Sequence, residues 1–482
     1  MKKLFSKELI SHKALIVAMS VLPALAVILI LPVYLRGEPD PYPPSYPRKQ
    51  YQVGQDLPPG ELATAVSLSA GRKLELDERY YLFFSNVPEM PTEPGVLCSI
   101  EDVMSPSGMV RVLFSHLNLL IDWSRRPGRN IPATAGFCLE NRTGMKLDVY
   151  ADRSALAVNR APDGKYLFLE DQAPVKPGNR NPEYFGSAVG NWTVQQWFLS
   201  GKQPPVLLGN MSPGERIIVK GDVGPRGWIT GIYDLKFYES ASGLQVGSLD
   251  FKPGEKVSVK TFIAPLYTDI NAFLDKAAKT GRVLSPAKYE KAHMRGLFVP
   301  GSYPDGQGEA ISKKFDVDFS SSEGRAVSFA LAAGEYDQGK SPELPSYIPD
   351  VFINDSLRNG SDPSSRDKRG VNGGNYGVDY TVNLNISGPA ALVAQGAVWP
   401  GVPGTVDLYN QILTFELDGK VNTIQIKDPN FNRFYSDFSA LGPQGCGRVV
   451  AVFPEGERGR HVLRFSMAPN GYGPVRFYLL PM

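Results

Sequence analysis

Ser285-Pro-Ala-Lys288 has the S-x-x-K spacing in which a serine hydroxyl becomes an acyl-transfer nucleophile beside a lysine amine, and Lys279-Thr-Gly281 supplies the K-T-G that accompanies such chemistry. Here K-T-G precedes the serine instead of lying on a distant downstream strand, and no S-D-N occurs. The pair therefore reads as a helix stop at Gly281 and a new helix opening at Ser285, with Ser as N-cap and Pro286 in the first turn. Asp316, Asp318 and Ser320 have the D-x-D-x-S spacing of a calcium loop, but Ser321 and Val327 stand where that loop requires Gly and Glu. Asp355, Asp362 and Asp367 offer further oxygens, yet Arg358, Arg366, Lys368 and Arg369 sit among them and oppose a cation. His116, His293 and His461 are singletons, and no G-x-S-x-G, H-E-x-x-H or P-loop is present. These residues single out no catalytic group, metal or cofactor.

Two other sets of side chains offer binding or cross-linking chemistry. Trp192, Trp197 and Tyr184, with Phe185 beside them, form an aromatic-rich patch, and exposed aromatics stack on sugar rings or peptide partners. Trp192, Trp197 and Tyr184 are the candidate ligand-binding residues, the alternative being that they are core side chains, as aromatics in a β domain of this size more often are. Of three cysteines, Cys98 and Cys138 fall in one expected domain and form the candidate disulfide, leaving Cys446 odd. The alternative is three small buried hydrophobes. No Cys/His spacing suggests zinc.

The elements that must carry these residues begin with Ala14–Leu35, 22 residues without a charge, close to the roughly 20 that cross a bilayer as a helix. Lys2, Lys3, Lys7 and Lys13 precede it, which predicts a cytoplasmic N-terminus and an extracytoplasmic body. Ala24-Leu-Ala26 would suit a signal peptidase, but Val27–Leu35 continues apolar, so an uncleaved anchor is expected. The expected organisation is a basic tail at 1–13, a transmembrane signal-anchor at 14–35 and a Pro-rich stalk at 36–60. A first β-sandwich-like domain follows at 61–265, then a helical connector at 266–298 and a second β-sandwich-like domain at 299–482.

The fold class is all-β. Short runs such as Tyr80–Phe84, Val110–Phe114, Tyr166–Leu169, Ile232–Tyr238 and Tyr380–Ile386 alternate or carry β-branched and aromatic residues between turn signals. Leu417-Asp-Gly-Lys-Val421 is a hairpin signal. Asp269 caps INAFLDKAAK, which Gly281 stops. Asn354 to Asn375 reads as a long polar loop.

Gly373-Gly-Asn-Tyr-Gly-Val-Asp-Tyr380 resembles the Asn-Tyr-Asp/Glu-Tyr signature of copper amine oxidases, but Gly377 and Val378 intrude and no His-x-His exists to hold copper. The same run leading into Thr381–Ile386, together with Met467-Ala-Pro and Val475–Pro481, resembles the C-terminal domain of uncharacterised envelope proteins of Gram-positive bacteria, some labelled copper amine oxidase-like. That resemblance covers about the last 110 residues; it implies a surface location and brings no catalytic residues.

The net charge of +2 is spread along the chain with no basic stripe, so no nucleic-acid partner is expected. The expectation is a single-pass cell-membrane protein with a binding or scaffolding role, holding the membrane through its N-terminal helix and a cell-wall glycan or envelope protein through its body. The alternatives are an envelope enzyme acting on wall polymer or glycan, and an accessory subunit of a membrane complex.

Overall fold

The computed structural model describes residues 49–62, 65–67, 75–77, 79–124, 127–167, 182–285, 295–302, 308–309, 311–332, 357–363, 368–372, 374–395, 398–400, 406–408, 411–426, 446–469, 471 and 475–482. The expected tail and anchor (1–35), and the stalk up to residue 48, lie outside these. Strands of four or more residues are numbered in chain order. They are β1 Tyr80–Ser85, β2 Gly95–Ile100, β3 Met109–Leu117, β4 Ala133–Arg142 and β5 Leu147–Val158. After helix α1 (Pro182–Ser200) come β6 Val206–Met211, β7 Arg216–Val223, β8 Trp228–Glu239 and β9 Lys256–Pro265. After helix α2 (Ile270–Thr280) come β10 Arg295–Phe298, β11 Ser312–Ser320, β12 Val327–Leu331, β13 Leu357–Ser361 and β14 Arg369–Asn372. The rest are β15 Asp379–Ser387, β16 Ala390–Gln395, β17 Gln411–Leu417, β18 Lys420–Ile426, β19 Gly447–Phe453, β20 Arg458–Ser466 and β21 Val475–Pro481.

The protein is all-β in the main, as its alternating runs predict. In β11, Phe315, Val317 and Phe319 point inward while Asp316 and Asp318 point outward, the period-2 pattern of a half-buried strand. Asp418 and Gly419 both take positive φ, 50° and 77°, as a two-residue hairpin turn between β17 and β18 requires. Asp269 accepts from the Ala272 amide and Gly281 closes α2 at φ 61°, so this helix starts and stops where its capping residues predict.

An eight-stranded sheet runs β6-β5-β8-β3-β1-β10-β13-β14 and packs one face on a four-stranded sheet, β7-β4-β9-β2. Phe83, Phe114, Phe137, Leu235 and Phe237 fill the space between them, each fully buried and each contributing about 1.5–3 kcal/mol by that burial. Two six-stranded sheets form a second sandwich. One is 56–57, β19, β16, β21, β12 and 66–67; the other is β18-β17-β20-β15-β11 and 75–77. Phe329, Leu392, Phe415, Phe465 and Phe477 lie in their shared core.

The hydrogen bonds do not follow a boundary at 266–298. Strands β13 and β14, from the region expected as a polar loop, extend the eight-stranded sheet through β10. In return the short strands 56–57, 66–67 and 75–77, from the stalk and the start of the expected first domain, pair into the sheets of the second sandwich. The physical reason is that each of these segments has an unfilled sheet edge beside it, and pairing satisfies its backbone groups. Of the expected strand Tyr166–Leu169, Tyr166 makes only an isolated bridge to Arg160, and residues 168–169 lie outside the described set. So do residues 286–294, where a second connector helix is expected.

Helix α1 is the larger departure. Its stretch reads as part of a β-rich region, yet it forms a 19-residue helix. Val189, Thr193 and Trp197 recur every four residues and are buried, with Val194 and Phe198 beside them. Gly190 permits the approach of the 468–469 loop, for a Cβ there would stand 2.1 Å from the Pro469 carbonyl oxygen.

Candidate functional site

The aromatic patch expected to face a ligand is internal. Trp197 is 0 % exposed. Two guanidiniums lie against its indole, Arg153 at 3.8 Å and Arg111 at 4.6 Å from the ring centre. Trp192 is half-buried against Leu117, Ala157, Val189 and Trp228. Tyr184 stands in the first turns of α1, and its side chain lies outside the described residues. The correction follows from the helix itself: α1 packs against β5 and β8 on one side and β17 and β18 on the other, so its large side chains become filling.

What Trp197 fills is a charged joint. Arg111 on β3 stands directly across from Asp234 on β8 and holds it with two hydrogen bonds, Nε to Oδ1 at 2.6 Å and Nη2 to Oδ2 at 3.1 Å. A bulge between Ala151 and Arg153 reverses the facing of β5, so Arg153 turns away from the core that holds Ala151 and meets Asp234 Oδ2 at 2.6 Å. Arg153 also reaches Asp379 Oδ2 of β15 at 3.0 Å, and Arg464 of β20 donates to the same oxygen at 3.2 Å. Arg464 continues to Glu416 at 3.6 Å, directly across from it on β17. The Gly377 carbonyl, inside the Asn-Tyr-Gly-Val-Asp-Tyr run, accepts from Arg111 Nη1 at 2.5 Å. Burial by itself would raise Asp234 and Asp379. The guanidiniums outweigh it and hold both carboxyls below their ordinary range. This cluster ties the eight-stranded sheet to the second sandwich.

Ser85 and His116 have the contact of a nucleophile and its base. Ser85 Oγ lies 3.2 Å from His116 Nε2, and His116 Nδ1 lies 2.9 Å from the Pro88 carbonyl. A carbonyl only accepts, so Nδ1 carries the proton and Nε2 accepts from Ser85. Thr261 Oγ1 is 2.7 Å from Ser85 Oγ. All three residues are buried, a carbonyl stands where a catalytic triad has a carboxylate, and burial pushes His116 down to about 4. The trio fastens β1, β3 and β9 together. Nearby, Arg295 is buried and paired with Asp362 at 2.8 Å, and its Nη1 donates to the carbonyls of Leu97 and Leu284, both at 2.8 Å. Asp362 is thus an arginine partner. Asp355 and Asp367 lie outside the described residues. Asp316 and Asp318 accept from Asn383 and Asn385 across the strand pair. Among the described residues no three of His, Cys, Asp and Glu converge on one point.

Cys98 and Cys138 carry free thiols. They sit on β2 and β4 with β9 between them, opposite Thr261 and Lys260 respectively, and so on opposite faces of the sheet. Two strand spacings put their Cα atoms roughly 9–10 Å apart, beyond the ~7 Å that a disulfide bridges. Burial pushes both thiols up to about 12.

Exposed aromatics gather elsewhere, at one end of the first sandwich. The register brings the ends of β3, β5, β7 and β9 together with the starts of β4 and β8: Leu117 pairs with Trp228, Val158 with Ile229, and Ala133 with both Val223 and Pro265. The connections there carry Trp123 (73 % exposed), Tyr166 (47 %) and Tyr267 (95 %). Trp123 follows Ile121–Asp122, which pairs with Arg129–Asn130. Its indole lies over Gly128, where a Cβ would stand 2.9 Å from Trp123 Cε3. Tyr267 takes φ 68°, a left-handed conformation that is an outlier for a bulky side chain. Tyr166 lies under the Arg160 guanidinium, 5.1 Å from the ring centre.

Buried asparagines hold these loops. Asn118 Nδ2 donates to the carbonyls of Ile131 at 2.9 Å and Gly224 at 3.1 Å, while Oδ1 accepts from the Leu120 amide at 3.1 Å. Asn159 Oδ1 accepts from the Trp228 amide at 2.7 Å. Replacing Asn118 by Ala strands these buried backbone groups, and an expected loss of roughly 2–3 kcal/mol will show as a lower urea midpoint. The sequence signal for this end is Trp123 between two polar residues, just before Pro127-Gly128, a large aromatic in a turn rather than in a strand.

No family profile and no curated protein matches the chain. Among solved structures, the CUB1-EGF-CUB2 domain of human MASP-1/3 aligns over 79 % of this chain and 98 % of its own, at 9 % identity and a TM-score of 0.14. The N-terminal CBM22-1-CBM22-2 tandem domain of Paenibacillus barcinonensis Xyn10C aligns over 90 % and 97 %, at 8 % identity and a TM-score of 0.11. Scores this low establish no shared fold.

Proposed function

We propose that the protein is a membrane-anchored, extracytoplasmic binding protein of the cell envelope, and that the loop end bearing Trp123, Tyr166 and Tyr267 is its recognition surface for a ring-bearing polymer, a glycan of the wall. The observation that carries the reading is the exposure of these three aromatics on short loops of one sandwich end, each placed by a local constraint. Aromatic faces shed water onto the apolar faces of sugar rings, and loops held by buried hydrogen bonds lose little entropy on binding. The uncharged run 14–35 supports an anchor, and the Pro-rich 36–60 supports a stalk.

Full-length protein in detergent, sedimented with purified cell walls and with protein-stripped wall glycan, tests this. Saturable binding is expected, weakened roughly tenfold or more by Trp123→Ala or Tyr267→Ala and unchanged by Trp192→Ala. Absence of binding to either material, with the protein folded, ends the reading.

A further inference from the structure

We infer that the polymer this loop end takes is anionic, an acidic polysaccharide with carboxylate or phosphate groups between its rings. This rests on the proposal that the end is a glycan-binding surface. Arg129 and Arg226 are exposed there, and neither makes an ion pair among the described residues. Among the described residues, the other cations of these loops are already engaged: Arg282 with Glu93, Lys165 with Asp163 at 3.2 Å, and Arg160 with the Gly164 and Pro225 carbonyls.

Both free guanidiniums are placed by the scaffold that places the aromatics. Arg129 follows Gly128, which lies under Trp123, and stands across the ribbon from Asp122. The Asp122 carboxylate accepts from the Ser124 amide at 2.9 Å. Arg226 takes φ 59°, left-handed, and its amide donates to the Asn118 carbonyl at 2.8 Å. Asn118 is also the residue that ties the Trp123 hairpin to the 223–227 turn. A rigid end thus presents ring faces together with two guanidiniums that have no partner, and guanidinium forks suit carboxylate and phosphate oxygens. A neutral polymer would leave them unused.

Carboxymethyl cellulose and hydroxyethyl cellulose share a glucan backbone and differ in charge, so affinity electrophoresis or calorimetry of the full-length protein with each separates ring stacking from charge. The charged polymer is expected to bind about tenfold tighter, the scale of two exposed ion pairs. That preference should vanish in about 0.5 M salt and in the Arg129→Gln/Arg226→Gln double variant. The variant should retain the weaker, Trp123-dependent binding of the neutral polymer. Equal affinity for both polymers, or a preference untouched by the double variant, overturns the inference while leaving glycan binding standing. Binding to neither polymer, with or without binding to phosphatidylglycerol vesicles, overturns both.

Discussion

Replacing Asp234 by Ala lowers the unfolding free energy by about 3–5 kcal/mol, because buried Arg111 and partly buried Arg153 lose their shared counter-charge. Asp234 is fully buried and accepts from Arg111 Nε and Nη2 and from Arg153 Nε, leaving neither carboxylate oxygen idle. Removing one member of such a cluster is far worse than removing a matched pair. Arg111→Met combined with Asp234→Leu is therefore expected to be more stable than Asp234→Ala alone, although it removes more polar contacts. Urea unfolding followed by tryptophan fluorescence reads the difference, since Trp197 touches both Arg111 and Arg153. A cost under about 1 kcal/mol for Asp234→Ala would show that the joint contributes no more than a surface pair.

Lowering the pH from 6.5 to 4 removes up to about 3 kcal/mol of stability through His116 alone. Burial depresses this histidine to about 4, outweighing the Pro88 hydrogen bond that favours its charged form, with Arg295 adding to the depression. In the unfolded chain it takes up its proton near 6.5, so the unfolded state binds more protons throughout that interval. Stability is thus full above 6.5 and falls as pH drops through the folded value. His116→Gln should flatten the slope in this window even if it lowers stability overall. Asp234 and Asp379 act in a lower window. Their folded values are depressed, so their contribution is present above about 3.9 and is lost as pH falls further. Unfolding curves stepped across both windows, for wild type and His116→Gln, separate the two.

Strand positions were legible because alternation needs only neighbouring residues: Phe315-Asp-Val-Asp-Phe319 states its own inside and outside. Asp269, Gly281 and Asp418-Gly419 were legible for the same reason, as local backbone chemistry. Helix α1 was not, because it is clasped between sheets and carries no polar stripe along Val189 to Phe198 to betray its period. Nor was the joint, whose partners Arg111 and Asp234 stand 123 residues apart. The Asn-Tyr-Gly-Val-Asp-Tyr run resembles a cofactor signature in sequence alone. It supplies instead the Gly377 carbonyl and the Asp379 carboxylate that Arg111 and Arg153 grip. Trp192 and Trp197 lie in an aromatic-rich stretch of the sequence, whereas exposure at Trp123 depends on a register that sequence spacing does not state.

Strand β21 lies between β16 and β12 in the middle of its six-stranded sheet, and all seven of its residues are buried. A chain synthesised only as far as Phe453 has both neighbours and a gap between them, with Ala390–Gln395 and Val327–Leu331 lacking a shared partner. That sheet therefore cannot complete its hydrogen bonding until residues 475–481 have been synthesised, so the last of its strands to appear is the one that closes the second sandwich.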